Sequence, residues 1–444
     1  MQPVPPLVIQ MQAESTTSSC SFALTPSFVE RALAWAVTFP YCSYFTSNNI
    51  PYPHAAFPHI LAVSSGTHCW SLGHAPFDLL HQIYQEQKDW LFGYFSYDLK
   101  NHIHGLQSGH PDAIQFPSCT FFKPDYLLQI GEGEVTIRAG IGTAREIYQQ
   151  ILQTKPATPS FPATQVQLRA HMTKKEYLRK VQTIQSHIEE GDCYELNLCQ
   201  EFSARPLALD PLNTFLQLNS LSPTPFATFQ RFQDLYLMAA SPERFLKKEG
   251  NKLVSQPIKG TIRRGKTSAE DEQLKAQLAS DEKELAENMM IVDLVRNDLA
   301  RSAVTGSVTV EELFGIYSFR QVHQMISTVT AEIKTGISFT EAIRNAFPMG
   351  SMTGAPKRKV MELIEQYECS QRGLYSGAVG FISPEGDFDF NVVIRSLQYN
   401  AVLRSLSFQV GGAITFDSIP EKEYEECLLK ASALLKVLGA EEFS

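Results

Sequence analysis

Apolar positions recur at helical spacing in some stretches of the chain and collapse into short continuous runs in others. Thr173 and Glu176 form a capping-box pattern, and Tyr177, Val181, Ile184 and Ile188 follow one helical face until Gly191-Asp192. Residues 269–299 read as strongly helical, 309–345 as mostly helical with glycine breaks, and Pro420 to Leu438 as a last helix. The runs within Trp90–Tyr97, Val135–Ala139, Cys193–Phe202 and Leu235–Ala240 predict strands. From Tyr375 to Phe416, β-rich segments alternate with turns at Pro384–Gly386 and Asn400. Helices thus alternate with hairpins rather than with single strands, which favours an α+β fold on antiparallel sheets over a parallel βαβ sheet. The stretch KPATPSFPA, residues 155–163, has neither period and reads as a connector. It separates an amino-terminal region, 1–152, from a carboxy-terminal region, 169–444, with the connector itself assigned to 153–168.

Composition narrows the class. The 444 residues are 43% hydrophobic and 19% charged, as expected of an ordinary globular enzyme. A net charge of −9 argues against a nucleic-acid binder, which would present a basic surface. The eight cysteines show no CxxC or Cys/His zinc spacing, so reduced thiols in a cytoplasmic protein are expected. Met1 to Ala13 has no basic start or long apolar run, and no apolar stretch reaches membrane-spanning length.

Candidate chemistry lies after the connector. Pro257-Ile258-Lys259-Gly260-Thr261 reads as a tight, strand-flanked turn. Its lysine is either an exposed residue beside a turn or a pre-positioned amine whose pKa is lowered by desolvation. Glu284/Glu287 and Glu423/Glu426 are two E-x-x-E pairs, each on one helix face. They are either solvated faces or ligands for a hard cation such as Mg²⁺. Phe347 to Lys357, with Ser351 inside it, reads as a loop entering a helix at Pro356, either an ordinary helix start or one whose free N–H groups receive a carboxylate or phosphate. Arg395, read as lying within the apolar strand Val392–Leu397, needs an anionic partner, protein or substrate. Gly411-Gly412 leaves the backbone open to close approach. His323 is read as lying on a helix.

These pieces occur together. GDCYELNL (191–198), SPERF (241–245), PIKGT (257–261), DEKELAENMMIVDLVRNDLAR (281–301), FPMGSMTGAPK (347–357), LYSGAVG (374–380), the strand around Arg395 and EYEECLLK (423–430) resemble, in this order, the signatures of the chorismate-utilising enzymes. GYFSYDLKN (93–101) resembles the family's amino-terminal part. The resemblance implies antiparallel sheets packed in a sandwich with flanking helices. Lys259 implies the aminodeoxychorismate synthase branch, with anthranilate synthase component I and isochorismate synthase as the alternatives. Glu195 stands where water-using branches carry a lysine and ammonia-using branches more often a glutamine. The implied roles are Lys259 as nucleophile and Glu243 as general acid. Mg²⁺ would lie on Glu287 and Glu426 directly and on Glu284 and Glu423 through water. Arg395, Tyr375, Lys430, Gly411 and Gly412 would hold the substrate's carboxylates, and Ser351 and His323 would line the ring pocket. No GxCxG nucleophile motif occurs, so ammonia is expected from a separate glutamine amidotransferase.

Overall fold

The computed structural model describes residues 18–159, 166–320 and 322–440. Part of the predicted connector and the segment Met1 to Ala13 lie outside these residues. Among the described residues two antiparallel sheets, one of twelve strands and one of ten, form the body, and their strands pair only antiparallel. The inner faces meet in an aromatic core: Phe381 of the smaller sheet lies 5.8 Å from Phe45 of the larger, and Tyr94 lies 4.9 Å from Phe232. Helices cover both outer faces. Phe28–Ala36, Ala144–Gln153, Lys174–Glu189, Pro211–Leu221 and Pro420–Leu438 pack on the larger sheet. Pro76–Gln87, Glu282–Ala300 and Phe339–Ala346 pack on the smaller one. This is the expected sandwich with flanking helices. Truncating a ring at its centre, as in Phe381→Ala, removes contacts with Phe45, Phe57, Phe92 and Trp90 and costs about 3–5 kcal/mol.

Each sheet draws strands from both sides of the connector. Tyr41–Thr46 pairs with Phe226–Phe232 in the larger sheet, and Leu91–Phe95 pairs with Ala378–Ile382 in the smaller. The connector therefore marks a break in the sequence pattern that the sheets do not follow.

Thr173 caps Lys174–Glu189 with the reciprocal capping box, and the last helix is Pro420–Leu438 as expected. The expected helix over 269–299 is two helices, Ser268–Ala279 and Glu282–Ala300, the second capped by Asp281. The helical reading of 309–345 is wrong for most of its length. Thr309–Ser318 and Val322–Glu332 form an antiparallel pair, and only Phe339–Ala346 is helical. Val322–Glu332 is buried on both faces, so it lacks the alternation of a half-buried strand. Its β-branched residues Val322, Ile326, Thr328, Val329 and Thr330 decide the outcome.

Candidate active site

A cavity of about 670 Å³ opens where strand ends of the two sheets meet two helices. That size suits a small organic ligand.

Lys259 enters it from a distorted strand, not from an exposed turn. In Ile258–Arg263 the pairing with Val322–Glu332 slips between Ile258 and Thr261, and Gly260 takes a φ of +92°. The bulge needs glycine there: a Cβ would lie 3.2 Å from Glu284 Oε2 and 3.3 Å from Met325. It also turns the lysine inward, leaving its side chain 11% exposed with Nζ donating to Glu195 Oε1 at 2.7 Å. Burial works against the charged amine, but Glu195 and then Glu287 outweigh it, so Lys259 is held above the ordinary lysine range. A lowered pKa was expected, and the structure reverses it. The desolvation is present, but the carboxylates around it dominate.

Glu195 begins the strand Glu195–Ala204 and pairs with Ala355 of the two-residue strand Gly354–Ala355. It is buried, and its Oε2 has no hydrogen-bond partner. Glu243 lies at the corner between Leu235–Ser241 and Arg244–Glu249, where its Oε1 accepts from Ser351 Oγ at 2.6 Å. Burial pushes the Glu243 carboxyl up to about 7, against the pull of Ser351 and Lys259. It can therefore carry a proton near neutrality.

Arg395 does not lie within a strand. It occupies the corner where the chain leaves Phe388–Val392 of the smaller sheet for Ser396–Asn400 of the larger, with a φ of +49°. Burial lowers its pKa, while Glu243 raises it. Gly411 and Gly412 lie on Ser405–Ile414. Gly411 is fixed by packing, since a Cβ would come within 2.5 Å of Cys199 Sγ, and its carbonyl accepts from Lys430 Nζ at 3.0 Å. Gly412 faces the acidic helices, with Glu423 Oε2 3.5 Å from where a Cβ would stand. Tyr375 is buried at the cavity wall, its hydroxyl 3.7 Å from Cys199 Sγ.

His323 is the site residue that the structure removes. It lies on the strand Val322–Glu332, not on a helix, and it is fully buried. Val322 and Gln324 line the cavity, and the two-residue period of a strand turns His323 to the opposite face. There Nε2 lies 3.0 Å from Asp271 Oδ1 and Nδ1 lies 2.8 Å from Ser318 Oγ.

The acidic wall is helical. Glu284 and Glu287 come from Glu282–Ala300, and Glu423 and Glu426 from Pro420–Leu438. Asn288 ties the first helix to the bulge by donating to the Lys259 carbonyl at 3.4 Å. Burial pushes Glu287 up to about 7 and also raises Glu284, whereas Lys430 draws Glu426 down. Glu287 Oε1 is buried without a hydrogen-bond partner, and the donors are hard oxygens of the kind a divalent cation of the magnesium type takes, but among the described residues no three of these carboxylates bring oxygens within 4.8 Å of one another. Sequence reasoning missed Lys283, whose Nζ lies 3.6 Å from Glu287 Oε1 and 3.2 Å from Glu423 Oε1. Its i,i+4 spacing to Glu287 was the available signal. Asn197 and Gln409, also on the wall, gave none.

A buried lysine, a protonatable carboxyl, a cationic corner and an acidic helical wall thus surround one cavity. The chain belongs to the family of chorismate binding enzymes, whose profile matches residues 69–436. It is 44% identical over 269 residues to the probable chloroplastic aminodeoxychorismate synthase of Oryza sativa subsp. japonica, covering 60% of this chain and 30% of that one. It is 35% identical over 347 residues to aminodeoxychorismate synthase component 1 of Escherichia coli (strain K12), covering 78% of this chain and 76% of that one. The chain spans less than a third of the length of the plant relatives it matches. Its fold is similar to that of the menaquinone-specific isochorismate synthase of Escherichia coli, with a TM-score of 0.75 at 17% identity, covering 96% and 95% of the two chains.

Proposed function

We propose that this protein converts chorismate and ammonia to 4-amino-4-deoxychorismate, as the names of its rice and Escherichia coli relatives suggest. The observation that carries the reading is Lys259, buried in the cavity among carboxylates rather than exposed on a turn. Once deprotonated, its amine attacks C2 of the ring. The C4 hydroxyl leaves as water with a proton from Glu243, which burial keeps protonated near neutral pH. Ammonia then adds at C4 and expels the lysine. Arg395 and Lys430 supply positive charge for the carboxylates of chorismate, and Ser351 holds the Glu243 carboxyl in place.

Glu287 and Glu426, with Glu284 and Glu423 behind them, would hold Mg²⁺. When bound, the ion neutralises the ring carboxylate against an otherwise acidic wall. Ammonia comes from a separate glutamine amidotransferase, in keeping with the "component 1" of the Escherichia coli name. No described helix is long and apolar enough to cross a membrane. A cytoplasmic location, expected from the unpaired cysteines of the sequence, is part of this proposal.

The test is incubation with chorismate, ammonium and Mg²⁺. The expected product is 4-amino-4-deoxychorismate, identified by mass and by its conversion by an aminodeoxychorismate lyase. Anthranilate with released pyruvate, or isochorismate, would assign the chain to another branch.

A further inference from the structure

Lysine cannot attack carbon while it carries three protons, so Lys259 needs a group that takes one. Its amine interacts electrostatically with groups from several elements. Glu195 comes from the larger sheet, Glu243 from the corner after it, Glu284 and Glu287 from one helix, and Glu426 and Lys430 from the other. Glu195 alone among them hydrogen-bonds it, Oε1 to Nζ at 2.7 Å. Glu243 Oε1 is engaged with Ser351, and Glu426 with Lys430 at 2.8 Å. Glu195 is 1% exposed, and its second oxygen is unpartnered. Water therefore has little access to Glu195, the acceptor of the pair.

Resting on the reading above, we propose that Glu195 is the catalytic base that takes the proton from Lys259. The N–H bond along the 2.7 Å contact breaks and an O–H bond forms on Oε1. The freed electron pair of Nζ then bonds to C2, while the C4–O bond breaks and water leaves with the proton of Glu243. The adduct is a secondary ammonium. When ammonia bonds to C4, the C2–N bond breaks and its electron pair returns to Nζ. Glu195 then gives its proton back, the product ammonium loses its extra proton to solvent, and solvent reprotonates Glu243. Burial helps the first transfer, because it converts two poorly solvated charges into a neutral pair. A glutamine at this position can accept the same hydrogen bond but not the proton.

The experiment measures single-turnover formation of the Lys259–substrate adduct in the full chain. Chorismate and Mg²⁺ are supplied without ammonium, and quenched protein is read by mass. In Glu195→Gln, adduct formation slows ~10²-fold at neutral pH. Chorismate affinity by calorimetry stays within about threefold, since Glu195 is not among the groups assigned to the carboxylates. The defect shrinks as pH rises and hydroxide replaces the missing base. Glu195→Asp, which keeps a carboxylate, recovers part of the rate and shows that a folded site responds to the base itself. An adduct formed at the wild-type rate in Glu195→Gln overturns the role of Glu195 and leaves the nucleophile standing. No adduct in the wild type, with Lys259→Ala still making product, overturns the covalent reading and this proposal together.

Discussion

The cavity has two kinds of wall. Lys259, Glu243 and Arg395 come from the sheets, with Glu195 buried behind Lys259, and each stands at an irregularity: a bulge, a strand start, or a corner between strands. Glu284, Glu287, Glu423 and Glu426 come from two regular helices. A regular helix sets side chains by spacing alone, so adjacent turns supply a pair of ligands with no special backbone. A strand that must point one long side chain out of its pleat has to break its pairing, as Gly260 does. The difference teaches that the strand wall holds single, fixed groups suited to bond-making, while the helical wall holds paired charges suited to a mobile ion.

The largest expected effect breaks the strand wall. Lys259→Ala abolishes aminodeoxychorismate formation and leaves Glu195 buried without its cation. Breaking such a pair costs on the order of 3–5 kcal/mol. Urea unfolding should show that loss. An unchanged midpoint would mean that the pair carries no structural weight. Next, on the helical wall, Glu287→Gln and Glu426→Gln should each reduce turnover ~10²-fold or more at low Mg²⁺ and weaken Mg²⁺ binding in calorimetry, with little change in unfolding. Loss of stability instead of metal affinity would erase the contrast between the walls.

A third effect concerns protons. Glu243 is protonated below about 7 and ionised above it, so kcat/KM falls as pH rises through that value. In Glu243→Gln that limb should disappear from the pH profile along with most of the rate. Gly260→Ala places a Cβ at a φ of +92°, near Glu284, and should cost roughly 1 kcal/mol while lowering kcat more than KM. The smallest effect is that of Lys283→Ala. This half-exposed amine lies between Glu287 and Glu423, so its removal should tighten Mg²⁺ binding while changing stability by less than about 0.5 kcal/mol.

Legibility divides along the same line. The paired glutamates and the helix Pro420–Leu438 stand in the sequence because spacing of three and four is a local property. The capping box of Thr173 and Glu176 is equally local. The strand wall depends on partners distant in the chain. Whether Lys259 is exposed or buried is decided by the bulge against Val322–Glu332, a strand whose two buried faces made it read as helix. The same misreading put His323 on a helix, and the family resemblance put it in the pocket, whereas its neighbours Val322 and Gln324 line the cavity. Arg395 was sought within a strand because nothing in Val392–Leu397 shows that the chain changes sheets there. The resemblance to chorismate-utilising enzymes supplied residue roles that periodicity left open.

The sharing of both sheets across the connector has a consequence for synthesis. Leu91–Phe95, apolar and buried on both faces, has one edge that its own half of the chain fills with Cys119–Phe122. The other edge waits for Ala378–Ile382. A ribosome adding ~5–20 residues per second needs on the order of tens of seconds to bring that second neighbour out of its exit tunnel. During this interval an apolar strand edge stands open to any other nascent chain. Chaperone occupancy on this polypeptide should therefore persist until Ala378–Ile382 has emerged, long after the amino-terminal strands are out.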